Sequence, residues 1–198
     1  MSYSDFTFIE VLNKFGLTRE ERSGVFSQAA EIEPTDFFKT GFNRTYRLLG
    51  VSGTEKLRSE GIVYPLLSDL NEVIQAPVLV LSGIEFNIDP ARGLNGRCDF
   101  LLSKSDELLE VRSPVVVVVE AKKEDIRGGI GQCLASMIAA QIFNSNNGDN
   151  INTIYGSVTS GTNWLFLKLE GSKVTIDLDE YFIDKPNKIL GILAQAFN

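Results

Sequence analysis

The sequence predicts an α/β fold in which a central mixed β-sheet is flanked by helices, and three observations carry that prediction. Residues 115–121 read VVVVVEA, five valines in succession with no polar face, as a strand covered on both sides requires. Two β-rich runs, 78–88 (VLVLSGIEFNI) and 97–103, come before it, so three consecutive strands are expected. Apolar residues at helical spacing bracket this centre, which places helices on the faces of the sheet. The 198 residues have the length of one domain, and neither half has the low hydrophobicity and high charge of a disordered chain. We divide the domain into an N-terminal helical cover (1–53), a core (54–169) and a C-terminal strand and helix (170–198).

The elements follow in order. Residues 5–15 carry Phe8, Val11, Leu12 and Phe15 on one stripe. Residues 19–31 are read as a second helix, capped by Thr18 with Glu20 and Glu21 in its first turn. From 34 to 52, aromatics, Arg44 and Arg47 mix with Gly, Thr and Asn in a pattern that assigns only partial helix. Over 54–75 the residues Leu57, Ile62, Leu66, Leu67, Leu70 and Ile74 recur at mostly helical intervals, with Pro65 as a kink or break. After the three strands, 125–144 predicts a helix with Asp125 as N-cap and Ile130, Leu134, Met137, Ile138 and Ile142 as its stripe. NSNNGDNIN (144–152) is a turn-rich loop. Strands are expected at 153–159, 164–169 and 173–178, and a last helix at 188–197.

Composition excludes whole classes of chemistry. The chain has no histidine, which removes Ser-His-Asp and Cys-His hydrolases, HEXXH peptidases and histidine-dependent metal-finger nucleases. Its two cysteines, Cys98 and Cys133, lie in apolar segments without zinc spacing and read as core. Trp164 and the phenylalanines read as core as well. There is no apolar run of membrane-spanning length and no signal-peptide pattern, so a cytoplasmic protein without a membrane partner is expected. The net charge of −7 argues against avid nonspecific nucleic-acid binding. Between Arg92 and Arg127, however, seven basic residues balance seven acidic ones, and the acidic excess lies elsewhere.

That balanced segment holds the chemistry. Glu120-Ala121-Lys122 puts a carboxylate and an ammonium at i and i+2, on one face at the C-terminal end of the valine strand, where open sheets commonly place ligands. Burying either charge alone is costly, so compensation is expected nearby. Asp99 interrupts the apolar 97–102 run, with Cys98 and Phe100 expected on the opposite face, and a hairpin through 104–114 would bring it beside Glu120. Two adjacent carboxylates call for a cation, and oxygen ligands with room for water suit Mg²⁺ or Mn²⁺. Lys122 would stand within reach of a phosphate oxygen and an attacking water, the outline of metal-assisted phosphodiester hydrolysis.

Plainer roles accompany each residue. Asp99 is also placed to pair with Arg97 or Arg127, and Glu72 competes with Glu60 on the same helical segment. Lys122, Lys123 and Arg127 form either a phosphate-binding rim at a helix N-terminus or solvated charge. Gly128, Gly129 and Gly131 each cost a helix about 1 kcal/mol relative to Ala, so close backbone approach is expected there.

On these residues the chain resembles the PD-(D/E)XK nuclease superfamily over roughly 54–169: a helix with Glu60, Asp99 on the second strand of a meander, Glu120-x-Lys122 at the end of the third, then a helix with Gln132. The resemblance implies a restriction-endonuclease-like core with extra N-terminal helices. It implies that Asp99 and Glu120, assisted by Glu60, hold Mg²⁺ or Mn²⁺, that Lys122 orients or activates water, and that Gln132 positions substrate or Lys122. It further implies a nucleic-acid substrate, DNA in the first instance, and a homodimer or partner subunit; the rim of Lys123 and Arg127 would face that substrate. Cys98 stands where the motif often has Pro, and Ser136 where a Tyr often follows the Gln. A noncatalytic module of the same fold, binding nucleic acid or a protein, is the alternative; an enzyme acting on small phosphate esters is a third, more distant one.

Overall fold

The computed structural model describes residues 1–49, 53–107, 110–123 and 125–198. The valine run forms β4 (Val115–Ala121), and every one of its residues is buried. Each fully buried valine contributes on the order of 1.5–3 kcal/mol relative to exposure. With β2 (Leu79–Glu85) and β3 (Arg97–Ser103), β4 makes an antiparallel meander. The helix α5 (Ile130–Asn146) then returns the chain so that β5 (Thr153–Thr159) runs parallel to β4. β6 (Asn163–Glu170) and β7 (Lys173–Phe182) continue antiparallel, and β1 (Thr18–Arg22) pairs in parallel with β7. The result is a seven-stranded mixed sheet of order β1-β7-β6-β5-β4-β3-β2.

Helices cover both faces of this sheet. On one face, Val11 of α1 (Phe8–Phe15) and Leu134 and Ile138 of α5 pack with Leu101, Val118, Ile154 and Leu167. On the other, Leu66 and Leu70 of α4 (Tyr64–Val73) and Leu190 and Leu193 of α6 (Pro186–Ala194) pack with Leu102, Val117, Val119 and Phe166. Gly131 explains how α5 admits the N-terminal segment: a Cβ there would overlap the Phe6 carbonyl. Trp164 is fully buried, as expected, but Phe37 is 89% exposed. Among the described residues no helix is long and apolar enough to cross a membrane.

Several expectations are corrected. Residues 19–31 are not a helix: Thr18–Arg22 is the edge strand β1, followed by turns. Its run of charged residues offers no apolar stripe, whereas the β7 ladder satisfies its backbone and gives Glu20 a 2.6 Å pair with Lys173. Charge on an edge strand also discourages further pairing. The unassigned stretch contains α2 (Asp36–Leu49), while residues 50–52 at its end lie outside the described residues. The 54–75 helix is divided into α3 (Glu55–Arg58), a π-helical turn (Ser59–Val63) and α4. Pro65 lacks an N–H and its ring presses on the preceding turn, which the wider π turn accommodates. The helix expected from Asp125 starts at Ile130; Asp125 Oδ1 instead accepts from Gly128 N at 2.8 Å and closes the turn before it.

Candidate active site

The site forms where β3 loses its regular pleat. Gly83, opposite Asp99 in the β2–β3 register, is left-handed (φ +62°). Cys98 packs toward α5, its thiol 3.6 Å from Ser136 Oγ, while Phe100 joins the α4/α6 cluster. The two neighbours of Asp99 thus leave on different faces, contrary to the simple alternation expected of them. Released from the pleat, Asp99 accepts from Ala121 N at 2.8 Å, past the last regular β3–β4 pair, Phe100–Val119.

Glu120 is 2% exposed. Its Oε1 lies 2.9 Å from Lys122 Nζ, whereas Oε2 is buried with no hydrogen-bond partner among the described residues. Lys122 Nζ also donates to Gln132 Oε1 at 2.9 Å, so the first turn of α5 grips the ammonium from the other side. Its backbone N–H donates to the Thr159 carbonyl at 2.8 Å and ties the end of β4 to β5. Gly129 leaves room for this side chain: a Cβ there would stand 3.1 Å from Lys122 Cε and 2.7 Å from Val158 Cγ1.

Burial, reinforced by the Asp99 carboxylate and opposed by Lys122, pushes the Glu120 carboxyl up to about 8. Burial alone would lower the Lys122 ammonium, but Glu120, Asp99 and Glu55 outweigh it and hold Lys122 above its ordinary value. Burial raises the Cys98 thiol to about 12 and lifts Cys133 as well, so neither is a ready nucleophile.

The structure brings Asp99, Glu120, Lys122 and Gln132 together. Glu60 lines the adjoining cleft of about 230 Å³ together with Asp99, Ser82, Gly83 and Arg97, but its side chain is 68% exposed and pairs with Lys56 at 3.5 Å. Among the described residues no three His, Cys, Asp or Glu side chains converge to hold a metal, so the set of Asp99, Glu120 and Glu60 is not assembled as three ligands. Glu72 lines a different cavity, between α2 and α4. Lys123 is exposed, and its carbonyl accepts from Arg58 at 3.4 Å. Arg127 turns to Glu180 of β7 at 3.8 Å. Sequence reasoning missed Glu55, which lines the Asp99 cleft and acts electrostatically on Lys122. Its signal was present: Thr54 caps α3 by accepting from Leu57 N, which puts Glu55 in the first turn. No family model and no curated protein matches the chain.

Proposed function

We propose that the protein is a metal-dependent nuclease of the PD-(D/E)XK type, with a restriction-endonuclease-like core, that hydrolyses phosphodiester bonds of nucleic acid. The observation that carries this reading is the Oε2 of Glu120, buried beside the Asp99 carboxylate with no donor to it among the described residues. Leaving a buried polar group unsatisfied costs about 1–3 kcal/mol, and more for a charge, which a purely structural carboxylate would not incur. Asp99 and Glu120 are hard oxygen donors, and two carboxylates with the remaining positions left to water fit Mg²⁺ or Mn²⁺. The helix over 55–73, the meander β2–β3–β4, and the α5 crossover to a parallel β5 support the core assignment.

Bound there, the ion would supply charge neutralisation and polarisation at the phosphoryl group. The chain's own residues do the rest. Glu120 and Gln132 occupy two of the three donors of the Lys122 ammonium, and the third is left for a phosphate oxygen or an attacking water. Because its neighbours keep Lys122 protonated, it orients and donates rather than removes a proton. Gln132 acts through Lys122, as a positioning residue.

One observation favours the noncatalytic module: Glu60 pairs with Lys56, and among the described residues no third carboxylate completes the shell. The deciding experiment is cleavage of plasmid, linear and single-stranded DNA and of RNA with Mg²⁺ or Mn²⁺, with wild type run beside Glu120→Ala and Lys122→Ala. We expect cleavage by wild type and its loss in both variants. A folded wild-type protein that cleaves nothing would favour the module.

A further inference from the structure

Four cations around the cleft are matched by carboxylates. Lys56 pairs with Glu60, Arg97 with Glu85, Lys122 with Glu120 and Arg127 with Glu180. Arg58 has no carboxylate within ion-pair distance among the described residues, not even Glu55, three residues earlier in α3. Its Nε is buried and without an acceptor, and the guanidinium's one hydrogen bond among those residues is a 3.4 Å contact from Nη1 to the Lys123 carbonyl. Of its five donors, the Nε–H is thus the one that is buried away from water with no acceptor among the described residues. Natural proteins seldom leave a half-buried guanidinium in this state without a reason.

Its position supplies the reason. The side chain leaves α3 toward the end of β4, where it meets the main chain of Lys123, the residue after Lys122. It runs beside the β5–β6 turn, where Gly161 is left-handed (φ +86°) and a Cβ would stand 3.1 Å from Arg58 Cβ. That turn follows Thr159, whose carbonyl receives the Lys122 N–H. Glu55, Lys56, Ser59 and Glu60, on either side of Arg58 in the sequence, line the cleft that contains Asp99. α3 and the π turn after it thus present Glu55 and Glu60 to the cleft and the Arg58 guanidinium to the neighbourhood of Lys122.

We propose that Arg58 is a substrate-binding residue that takes a phosphate oxygen of the nucleic-acid strand next to the bond being cleaved. A guanidinium presents paired N–H groups that match phosphate oxygens, and the incoming anion supplies the charge that the protein withholds. The identity of the ligand rests on the nuclease reading; the existence of the anion site does not.

The test measures binding of a short fluorescein-labelled DNA strand by anisotropy in EDTA, over a series of KCl concentrations. It compares wild type, Arg58→Met, Arg58→Gln and Arg58→Lys, with thermal melts to confirm folding. The Met side chain keeps the apolar stem beside Gly161, and Gln gives a second uncharged variant should Met perturb the fold. We expect the uncharged variants to bind about tenfold more weakly and to lose about 0.7 from the slope of log K against log salt, the signature of one lost phosphate contact. Arg58→Lys should keep the slope. Unchanged affinity and slope in the folded uncharged variants, or no binding by wild type, would overturn the proposal. Cleavage assayed in parallel separates the two readings: Arg58-dependent binding with cleavage indifferent to Glu120 would sink the nuclease and leave the anion site. Cleavage lost in Glu120→Ala with binding indifferent to Arg58 would do the reverse.

Discussion

Two of the carboxylates buried in this protein, Asp177 and Glu120, are treated in opposite ways. Asp177 on β7 is fully buried and fully employed: it accepts from Phe26 N at 3.2 Å, Tyr181 OH at 2.9 Å and Asp179 N at 3.1 Å. Those bonds pin the turns after β1 to the sheet, so its charge is solvated by the protein itself. Glu120 on β4 is about as deeply buried, yet among the described residues one oxygen receives only Lys122 and the other no donor. The fold could have supplied donors at Glu120, as it does at Asp177. A buried carboxylate with its donors in place is structure; one without them is held ready for something that arrives.

The largest expected effects set these two residues against each other. Glu120→Ala and Asp99→Ala should lower metal-dependent cleavage by on the order of 10³-fold or more while the protein stays folded, because these carboxylates would hold the cation that neutralises charge on the reacting phosphoryl group. Asp177→Ala should do the opposite. With the Phe26 N–H and Tyr181 OH left without their acceptor, it should lose about 3 kcal/mol in denaturant unfolding, with cleavage per folded molecule unchanged. Equal losses of stability in Glu120→Ala and Asp177→Ala would erase the distinction.

The pH dependence sharpens it further. The Glu120 carboxyl titrates near 8 in the folded protein against about 4.5 in the unfolded chain, so the native state holds this proton more tightly. Its contribution to stability is therefore present at low pH and is lost as pH rises from about 4.5 through 8. Glu120→Gln should flatten that decline and be more stable than wild type at pH 9, by on the order of 1–3 kcal/mol. The same proton must leave before the carboxylate can bind a cation. Mn²⁺ affinity should thus climb up to about tenfold per pH unit below 8 and level off above it, with about one proton released per ion near pH 6.5, as calorimetry in two buffers would measure.

Gly129 gives the next effect in size. A methyl group there would meet Val158 at 2.7 Å and Lys122 Cε at 3.1 Å, so Gly129→Ala should cost about 1–3 kcal/mol of stability and displace the ammonium from Gln132. Cleavage should fall through kcat more than through KM. A Gly129→Ala protein with wild-type kcat would show that the position of Lys122 tolerates more than this geometry implies.

The strands at the centre were legible because period and composition agreed there: 97–103, 115–121 and 153–159 have the bounds the sequence predicts. Asp99, Glu120, Lys122 and Gln132 were legible as a set because a meander and one crossover helix leave them few other places to go. β1 was not, since Thr-Arg-Glu-Glu-Arg carries no apolar signal and is a strand only because β7 completes its ladder. The break at Asp99 was equally hidden. It depends on the left-handed Gly83 of a neighbouring strand, and only register aligns the two.

The choice between Glu55 and Glu60 is the finest of these distinctions. Glu60 sits on the π turn, exposed and paired with Lys56, and pairs of that kind are weak in water. Glu55 opens α3, shares the cleft with Asp99, and is the carboxylate of that helix whose charge reaches Lys122. Glu55→Gln should therefore slow cleavage several-fold, and Glu60→Gln by less than about twofold, since a screened surface charge contributes little. The reverse order in single-turnover rates would mean that the cleft closes around substrate and swings Glu60 inward. The pair of Asp99 and Glu120 would then be completed by a carboxylate that the resting protein keeps in solvent.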